Sequence, residues 1–282
     1  MKNKIAVLGN DSRFAFCVNA LSEKGYNATA GSGSGVSDFD NCIKNSIACV
    51  VGVPMSRDDM YLSGVGNSLK ISLEHFFERC SQSNACVFGG LISAKTRNKA
   101  EKYGVRVFDY QEDEAYLLRN AKCTATASLS LMMNTLTVSP DTASALIIGN
   151  GRVGKALSHV LCGVGTDVTV CARSKRDLAY AHCSGCDTVD ISHGICDLPY
   201  CDIVFNTVPN MIFDTNNVGK ISENAFVCNL ASRNGGFSDG ARELLGERYL
   251  CASSLPGKIF PETAGYDLAE AVSDIIEREG LL

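Results

Sequence analysis

The sequence predicts an α/β protein built as two Rossmann-like, doubly wound parallel-sheet domains with a cleft between them. Three observations predict it. Short β-branched runs alternate with amphipathic stretches along the whole chain, the pattern of βαβ units. Lys4-Ile5-Ala6-Val7-Leu8 and Ala145-Leu146-Ile147-Ile148 each run straight into a glycine-bearing turn that opens a helix, so one strand-turn-helix start occurs in each half. The 282 residues suffice for two domains of ordinary size.

In the first half the opening strand turns through Gly9-Asn10-Asp11-Ser12-Arg13 into a helix ending near Lys24. Further strands are expected over 48–53, 85–88 and 105–108, each flanked by helix-like sequence. Residues 1–120 therefore read as one open-sheet domain of flavodoxin or Rossmann-like type. From Asn120 the composition shifts to small residues, Thr, Leu and Met, until Ser139-Pro140-Asp141 breaks the pattern, so 121–140 reads as an interdomain helix and linker. Residues 141–265 read as the second domain, and 266–282 as a C-terminal helix able to cross back to the first.

Composition narrows the function. Lys+Arg 26 against Asp+Glu 31 gives a net charge of −5, with no basic stripe, so an electrostatic grip on nucleic acid has nothing to work with. No segment approaches the roughly 20 consecutive apolar residues of a bilayer-spanning helix, and the start lacks a secretory apolar core. A cytoplasmic protein acting on small molecules is expected, with neither nucleic acid nor membrane as partner. The 14 cysteines are scattered through apolar runs such as Ile47-Ala48-Cys49-Val50-Val51, as expected of small buried hydrophobes in a reducing compartment. Cys183 and Cys186, with His182, His193 and Cys196 nearby, have a short zinc-like step but lack a second tight pair. No metal is expected.

Gly149-Asn150-Gly151-Arg152-Val153-Gly154 is a G-x-G-x-x-G between an apolar strand and a helix whose apolar face recurs at helical spacing. The first glycine makes the tight turn, the second lets backbone amides approach a pyrophosphate, and the third lets helix and strand pack closely. The next strand leads to Ala172-Arg173-Ser174-Lys175-Arg176, where a cofactor with a free ribose 2′-hydroxyl would need an acidic residue about 20 positions past the motif. Arg173, Ser174 and Arg176 suit a 2′-phosphate instead, which predicts NADP(H).

Asp202-Ile203-Val204-Phe205-Asn206-Thr207-Val208-Pro209 is an apolar strand stopped by proline, expected to put Asn206, Thr207, Val208 and Pro209 along the nicotinamide side of the site. The strand from Ala225 exits through Ala231-Ser232-Arg233-Asn234-Gly235-Gly236, where Ser232 and Arg233 are candidate catalytic residues and Arg233 could hold a substrate carboxylate. After a last strand at Tyr249, two prolines and two glycines predict a shaped loop from Ser253 to Gly265, before a final helix started by Glu262 or Thr263. Lys258, the lysine of that loop, is either a substrate-carboxylate or proton-transfer group or a solvated charge.

With these segments in view the chain resembles the family of dipicolinate synthase A subunits. The resemblance is carried by Gly9 to Arg13, Gly149 to Gly154, Ala172-Arg173-Ser174, Asn206 to Pro209, Ala231 to Gly236, Leu255-Pro256-Gly257-Lys258 and Pro261-Glu262-Thr263-Ala264-Gly265. The fold is also similar to that of D-2-hydroxyacid dehydrogenases. The resemblance implies a sporulation enzyme carrying out NADP-dependent oxidation of 4-hydroxy-tetrahydrodipicolinate, or of the dihydrodipicolinate formed by its dehydration, to dipicolinate. It also implies a homo- or hetero-oligomer with the B subunit of dipicolinate synthase as partner and a small dicarboxylate substrate. The chain departs from the expected family pattern at Thr126, where a glutamate is expected, and at Asn234, where a proline is expected, so the acid-base group is unassigned. Two other readings stay open: the chain is a catalytically silent NADP(H)-binding regulatory component, or a dehydrogenase for another small carboxylate.

Overall fold

The computed structural model describes residues 3–31, 35–65, 69–195, 197–231 and 235–281. The chain divides into two compact units, Met1–Asn120 with Pro256–Leu282, and Ala121–Leu255. The first begins with β1 (Lys4–Leu8), α1 (Arg13–Glu23), β2 (Asn27–Gly31), α2 (Val36–Ile43), β3 (Ala48–Val50), α3 (Leu73–Gln82), β4 (Cys86–Gly89), α4 (Ala94–Lys102) and β5 (Val107–Asp109), and α5 (Glu114–Thr135) follows. The second contains β6 (Ser144–Ile148), α6 (Arg152–Gly163), β7 (Asp167–Ala172), α7 (Lys175–Cys183), β8 (Asp187–Asp190), β9 (Ile203–Asn206), β10 (Phe226–Asn229), α8 (Asp239–Leu245) and β11 (Tyr249–Cys251). Then come α9 (Leu255–Ile259) and α10 (Pro261–Arg278), which lies in the first unit from its start to its end.

All described strand pairs are parallel. In the first unit the order is β2-β1-β3-β4-β5, and in the second β11-β10-β9-β6-β7-β8. Both are doubly wound orders, the first of flavodoxin type and the second of Rossmann type. Strands of such sheets are covered on both faces, which explains their nearly unbroken apolar runs. In β1, Ala6 and Leu8 face Phe39, Phe76 and Phe77 of α2 and α3. Ile5 and Val7 face the other way, toward Phe14 and Leu21 of α1 and Leu268, Val272 and Ile276 of α10. Cys17, Cys49 and Cys80 are buried within these two cores, and Cys201 and Cys228 are buried in the second unit. Among the described residues no helix is long and apolar enough to cross a membrane.

The contact between α1 and α10 depends on Gly265. A Cβ there would stand 2.5 Å from the Arg13 carbonyl oxygen and 2.7 Å from Phe16 Cβ. Gly265→Ala should therefore push the helices apart and destabilise the protein by about 1–3 kcal/mol. Thermal denaturation followed by circular dichroism checks this, and an unchanged Tm would refute the tight approach.

Several elements differ from the sequence expectation. The strand expected over 48–53 ends at Val50, because Gly52 and Pro54 turn the chain out of the sheet after Val51 has given its amide to the Phe88 carbonyl. The shaped loop expected from Ser253 to Gly265 contains α9, in which Pro256 occupies an early position where its missing N–H costs nothing. Pro261 then opens α10 at its first turn, so proline rather than Glu262 or Thr263 marks that start.

Candidate functional site

In the second unit the strand order reverses between β6 and β9. Open α/β sheets bind ligands in the crevice outside the carboxyl ends of the strands at such a switch point. The segments leaving those two strands are Gly149 to Gly154 and Thr207 to Pro209. Gly149 has φ +94, a left-handed value that favours glycine, and a Cβ on it would meet Val208 Cγ2 at 2.6 Å and Thr207 Oγ1 at 2.7 Å. A Cβ on Gly154 would lie 2.1 Å from the Gly149 carbonyl oxygen, so the first turn of α6 is seated directly on the end of β6. By contrast, a Cβ on Gly151 would meet nothing within 4 Å. Gly151 is the N-cap of α6 and supplies no capping side chain, so this helix start combines open space with backbone donors and the positive end of a helix dipole. Arg152 beside it is exposed and Val153 half-buried.

Thr207 binds this turn from the β9 side. Its Oγ1 donates to the Ile148 carbonyl at 2.8 Å and lies 3.4 Å from that of Gly149. Asn206 is fully buried and its amide is spent within the protein. Its Nδ2 donates to the Val208 carbonyl and to Asn229 Oδ1, and its Oδ1 accepts from the Val208 amide. Asn229 in turn donates to the Gly235 carbonyl at 3.0 Å and to the Tyr249 hydroxyl at 3.1 Å. This amide pair fixes the exits of β9 and β10, and Gly236, φ +89, passes so close that a Cβ would meet Asn206 Nδ2 at 2.1 Å. Val208 is half-buried and Pro209 exposed. Asn229 escaped the sequence reading, although its signal was present: two neighbouring strands both end in asparagine, and the two residues pair in register.

Arg173 and Ser174 form the turn between β7 and α7, Arg176 lies in the first turn of α7, and all three are exposed. Ser174 caps α7 by accepting the Asp177 amide, and Arg176 lies 3.6 Å from the Asp177 carboxylate. Ser232, Arg233 and Asn234 lie outside the described residues, as does Cys196. Thr126 is exposed on α5, and its hydroxyl donates to the Lys122 carbonyl one turn back. Among the described residues no group of three or more His, Cys, Asp and Glu could hold a metal ion.

The first unit has its own switch point, between β1 and β3. The loop leaving β1 holds Asp11 and Arg13 in a two-point ion pair, with Nε donating to Oδ1 at 2.9 Å and Nη2 to Oδ2 at 2.6 Å. Burial alone would raise the Asp11 pKa, but the hydrogen bonds and charge of Arg13 outweigh it and hold the carboxyl below its ordinary range. Burial works against the Arg13 charge too, and the bond to Asp11 together with the charge interactions with Tyr116, Asp11 and Tyr110 outweighs it. Ser12 Oγ donates to the Gly257 carbonyl at 2.7 Å, and Gly257 packs against the Arg13 side chain. The first-turn segment and the Leu255-Pro256-Gly257-Lys258 segment, 245 residues apart along the chain, thus meet at one place. Lys258 itself is exposed on α9.

Comparison with known proteins agrees with this architecture. The family model for the N-terminal domain of the dipicolinate synthase A subunit matches residues 4–111. The dipicolinate synthase A subunit of Bacillus subtilis (strain 168) is 24% identical over 289 residues, covering 97% of this chain and 95% of that one. The crystal structure of the dipicolinate synthase A subunit from Bacillus halodurans superposes with a TM-score of 0.82 at 20% identity, covering 97% of each chain. Salmonella D-lactate dehydrogenase shares the fold at lower similarity, with a TM-score of 0.66 and 11% identity over 98% of this chain and 97% of its own. The chain is thus similar to the dipicolinate synthase A subunit along nearly its whole length and matches the model of its N-terminal domain over residues 4–111.

Proposed function

We propose that the chain is the nicotinamide-nucleotide-binding component of a dipicolinate-forming oxidoreductase. It would oxidise 4-hydroxy-tetrahydrodipicolinate, or the dihydrodipicolinate left by its dehydration, to dipicolinate with NADP+, in the cytoplasm of a sporulating cell and with the B subunit of dipicolinate synthase as partner. One observation carries this reading: the similarity to the dipicolinate synthase A subunit of Bacillus subtilis extends over 97% of this chain and 95% of the relative.

The residues present fit such a cofactor. Gly151 leaves room for a pyrophosphate at an uncapped helix start, whereas Gly149 and Gly154 are close-packed where a turn and a helix seat are needed. Arg173 and Arg176 offer exposed guanidinium groups, and Ser174 a hydroxyl, to a 2′-phosphate. The bound nicotinamide would accept the hydride. Thr207 and Asn206 act by holding the turn and the β9 exit, since their polar atoms are engaged within the protein. Arg233, which Ser232 precedes in the chain, would hold a substrate carboxylate. Aromatisation of the ring favours the reaction, so orientation and exclusion of water are the chief demands on the protein.

The test is NADPH formation, with NAD+ as control, when fresh 4-hydroxy-tetrahydrodipicolinate is added to the chain with and without its B-subunit partner. Turnover with NADP+ supports the reading. Arg173→Ala should then raise the KM for NADP+ at least tenfold, about 1.5–3 kcal/mol for a lost charge-assisted bond, and leave NAD+ kinetics nearly unchanged. Equal effects on both cofactors would remove Arg173 from the 2′-phosphate role. Thr126 favours a second reading, in which the chain binds NADP(H) but is catalytically silent, because its hydroxyl is spent on its own helix and it carries no carboxylate. That reading predicts cofactor binding without turnover even when the B-subunit partner is present.

A further inference from the structure

Asn150, the second residue of the glycine turn, is only 4% exposed and is joined to a different element. Its Nδ2 donates to the Asp177 carbonyl in the first turn of α7 at 2.7 Å. Its Oδ1 is buried and has no hydrogen-bond partner among the described residues. A buried unpaired acceptor carries a desolvation penalty that offsets what one hydrogen bond contributes, so an apolar side chain of the same size would serve stability as well or better. The remaining effect of Asn150 is geometric, because it ties two loops together.

Those loops leave neighbouring strands, β6 and β7, which pair in register as far as Ile148 and Cys171, and the Gly149 amide extends that pairing to the Cys171 carbonyl. Beyond that bond the sheet pairing no longer sets the distance between the glycine turn and the Arg173–Arg176 turn, and the bridge from Asn150 links the two directly, beside the Lys155–Tyr180 contact between α6 and α7. Asp177 is the hub of that second turn. Its amide is capped by Ser174, its carboxylate lies beside Arg176, and its carbonyl receives Asn150. The groups that would meet a 2′-phosphate thus hang from a residue that the Asn150 side chain ties to the pyrophosphate turn.

We infer that Asn150 is a specificity-determining positioning residue, which discriminates NADP(H) from NAD(H) by holding the Arg173–Arg176 turn at a fixed distance from the glycine turn. The inference rests on the nicotinamide-nucleotide reading above. It acts through the 2′-phosphate contacts alone. An isosteric apolar replacement should therefore weaken binding of the phosphorylated cofactor and leave the unphosphorylated one nearly as it was, whereas a merely structural role would weaken both alike.

The experiment is fluorescence titration of the full chain with NADPH and with NADH, needing no turnover, for the wild type, Asn150→Leu and Asn150→Ser. Leucine keeps the volume, and serine is too short to reach the Asp177 carbonyl, so a folding failure of one variant leaves the other informative. The expected result is a wild-type preference for NADPH of at least tenfold that falls below threefold in either folded variant, with NADH affinity changed less than twofold. Retention of the wild-type preference in the variants, or an equal loss for both nucleotides, overturns the role of Asn150 while the cofactor reading stands. Arg173→Ala, run beside them, separates the two failures. A wild type that binds neither nucleotide, or shows no preference for Arg173→Ala to reduce, refutes the NADP(H) reading and the inference with it.

Discussion

Gly154→Ala should cost the second unit about 3 kcal/mol and, with the chain binding a nicotinamide nucleotide as proposed, reduce that affinity at least a hundredfold. The added methyl carbon would lie 2.1 Å from the Gly149 carbonyl oxygen, and the atom it meets is backbone at the end of β6, with no flexible tip to swing aside. Relief requires α6 to lift from the sheet, and overpacking of this kind costs up to about 3 kcal/mol when the backbone must move. The same shift carries the start of α6 away from the turn, so donors and dipole no longer converge on one point, a loss that a displacement of about 1 Å is enough to produce. Gly163→Ala is the matched control. It lies at the far end of the same helix, and a Cβ there meets nothing within 4 Å. It should leave binding intact and stabilise the protein by about 0.5–1 kcal/mol through helix propensity. Urea denaturation and nucleotide titration of both variants decide the matter. Equal stability of the two alanine variants would mean that the helix does not sit on the strand as described.

What the sequence shows and what it hides follow from the range of the forces involved. The Gly149 to Gly154 turn is legible because its constraints are local, so a turn, an open approach and a close helix seat each demand a missing side chain within six residues. The strands β1, β6 and β9 are legible because burial on both faces leaves runs such as Ile203-Val204-Phe205 with no polar break. β2 is not, since Asn27-Ala28-Thr29-Ala30-Gly31 has neither a β-branched run nor strict alternation, and it is a strand because β1 offers it a full register of backbone partners. α9 was masked by its own proline and glycine, which read locally as loop residues. The hydrogen-bond partners of Asn206 and Thr207 were not legible either. Both stand where a ligand-facing residue is expected, yet whether a polar atom faces a ligand or a neighbour depends on Asn229, Val208 and Ile148, and only the register of the sheet brings those together.

Asp11→Ala should destabilise the first unit by about 3–5 kcal/mol, the cost of leaving a buried guanidinium without its carboxylate. The Arg13 side chain is 11% exposed and lies near Tyr110 and Tyr116. Both described bonds from its head go to Asp11, and Gly257 closes over its stem. Asp11→Asn separates charge from shape, since the amide can still accept one bond from Arg13 but offers no negative charge, so its cost should be smaller. The two also differ in pH dependence. Because Asp11 has a folded-state pKa below its unfolded value, its stabilisation is present above the unfolded carboxylate value of about 3.9, and it is lost as the pH falls through the folded value. The stability gap between wild type and Asp11→Asn should therefore be constant from pH 7 to about pH 5 and shrink as the solution is acidified below about pH 4. Other carboxylates titrate in that window too, but they are common to both proteins and cancel in the difference. Urea denaturation midpoints measured along this series test the pair directly. A gap that stays constant down to about pH 2.5, or widens, would show that the Asp11 carboxylate gains nothing from Arg13, and the ion pair would then contribute nothing to the seat that Arg13 offers Gly257.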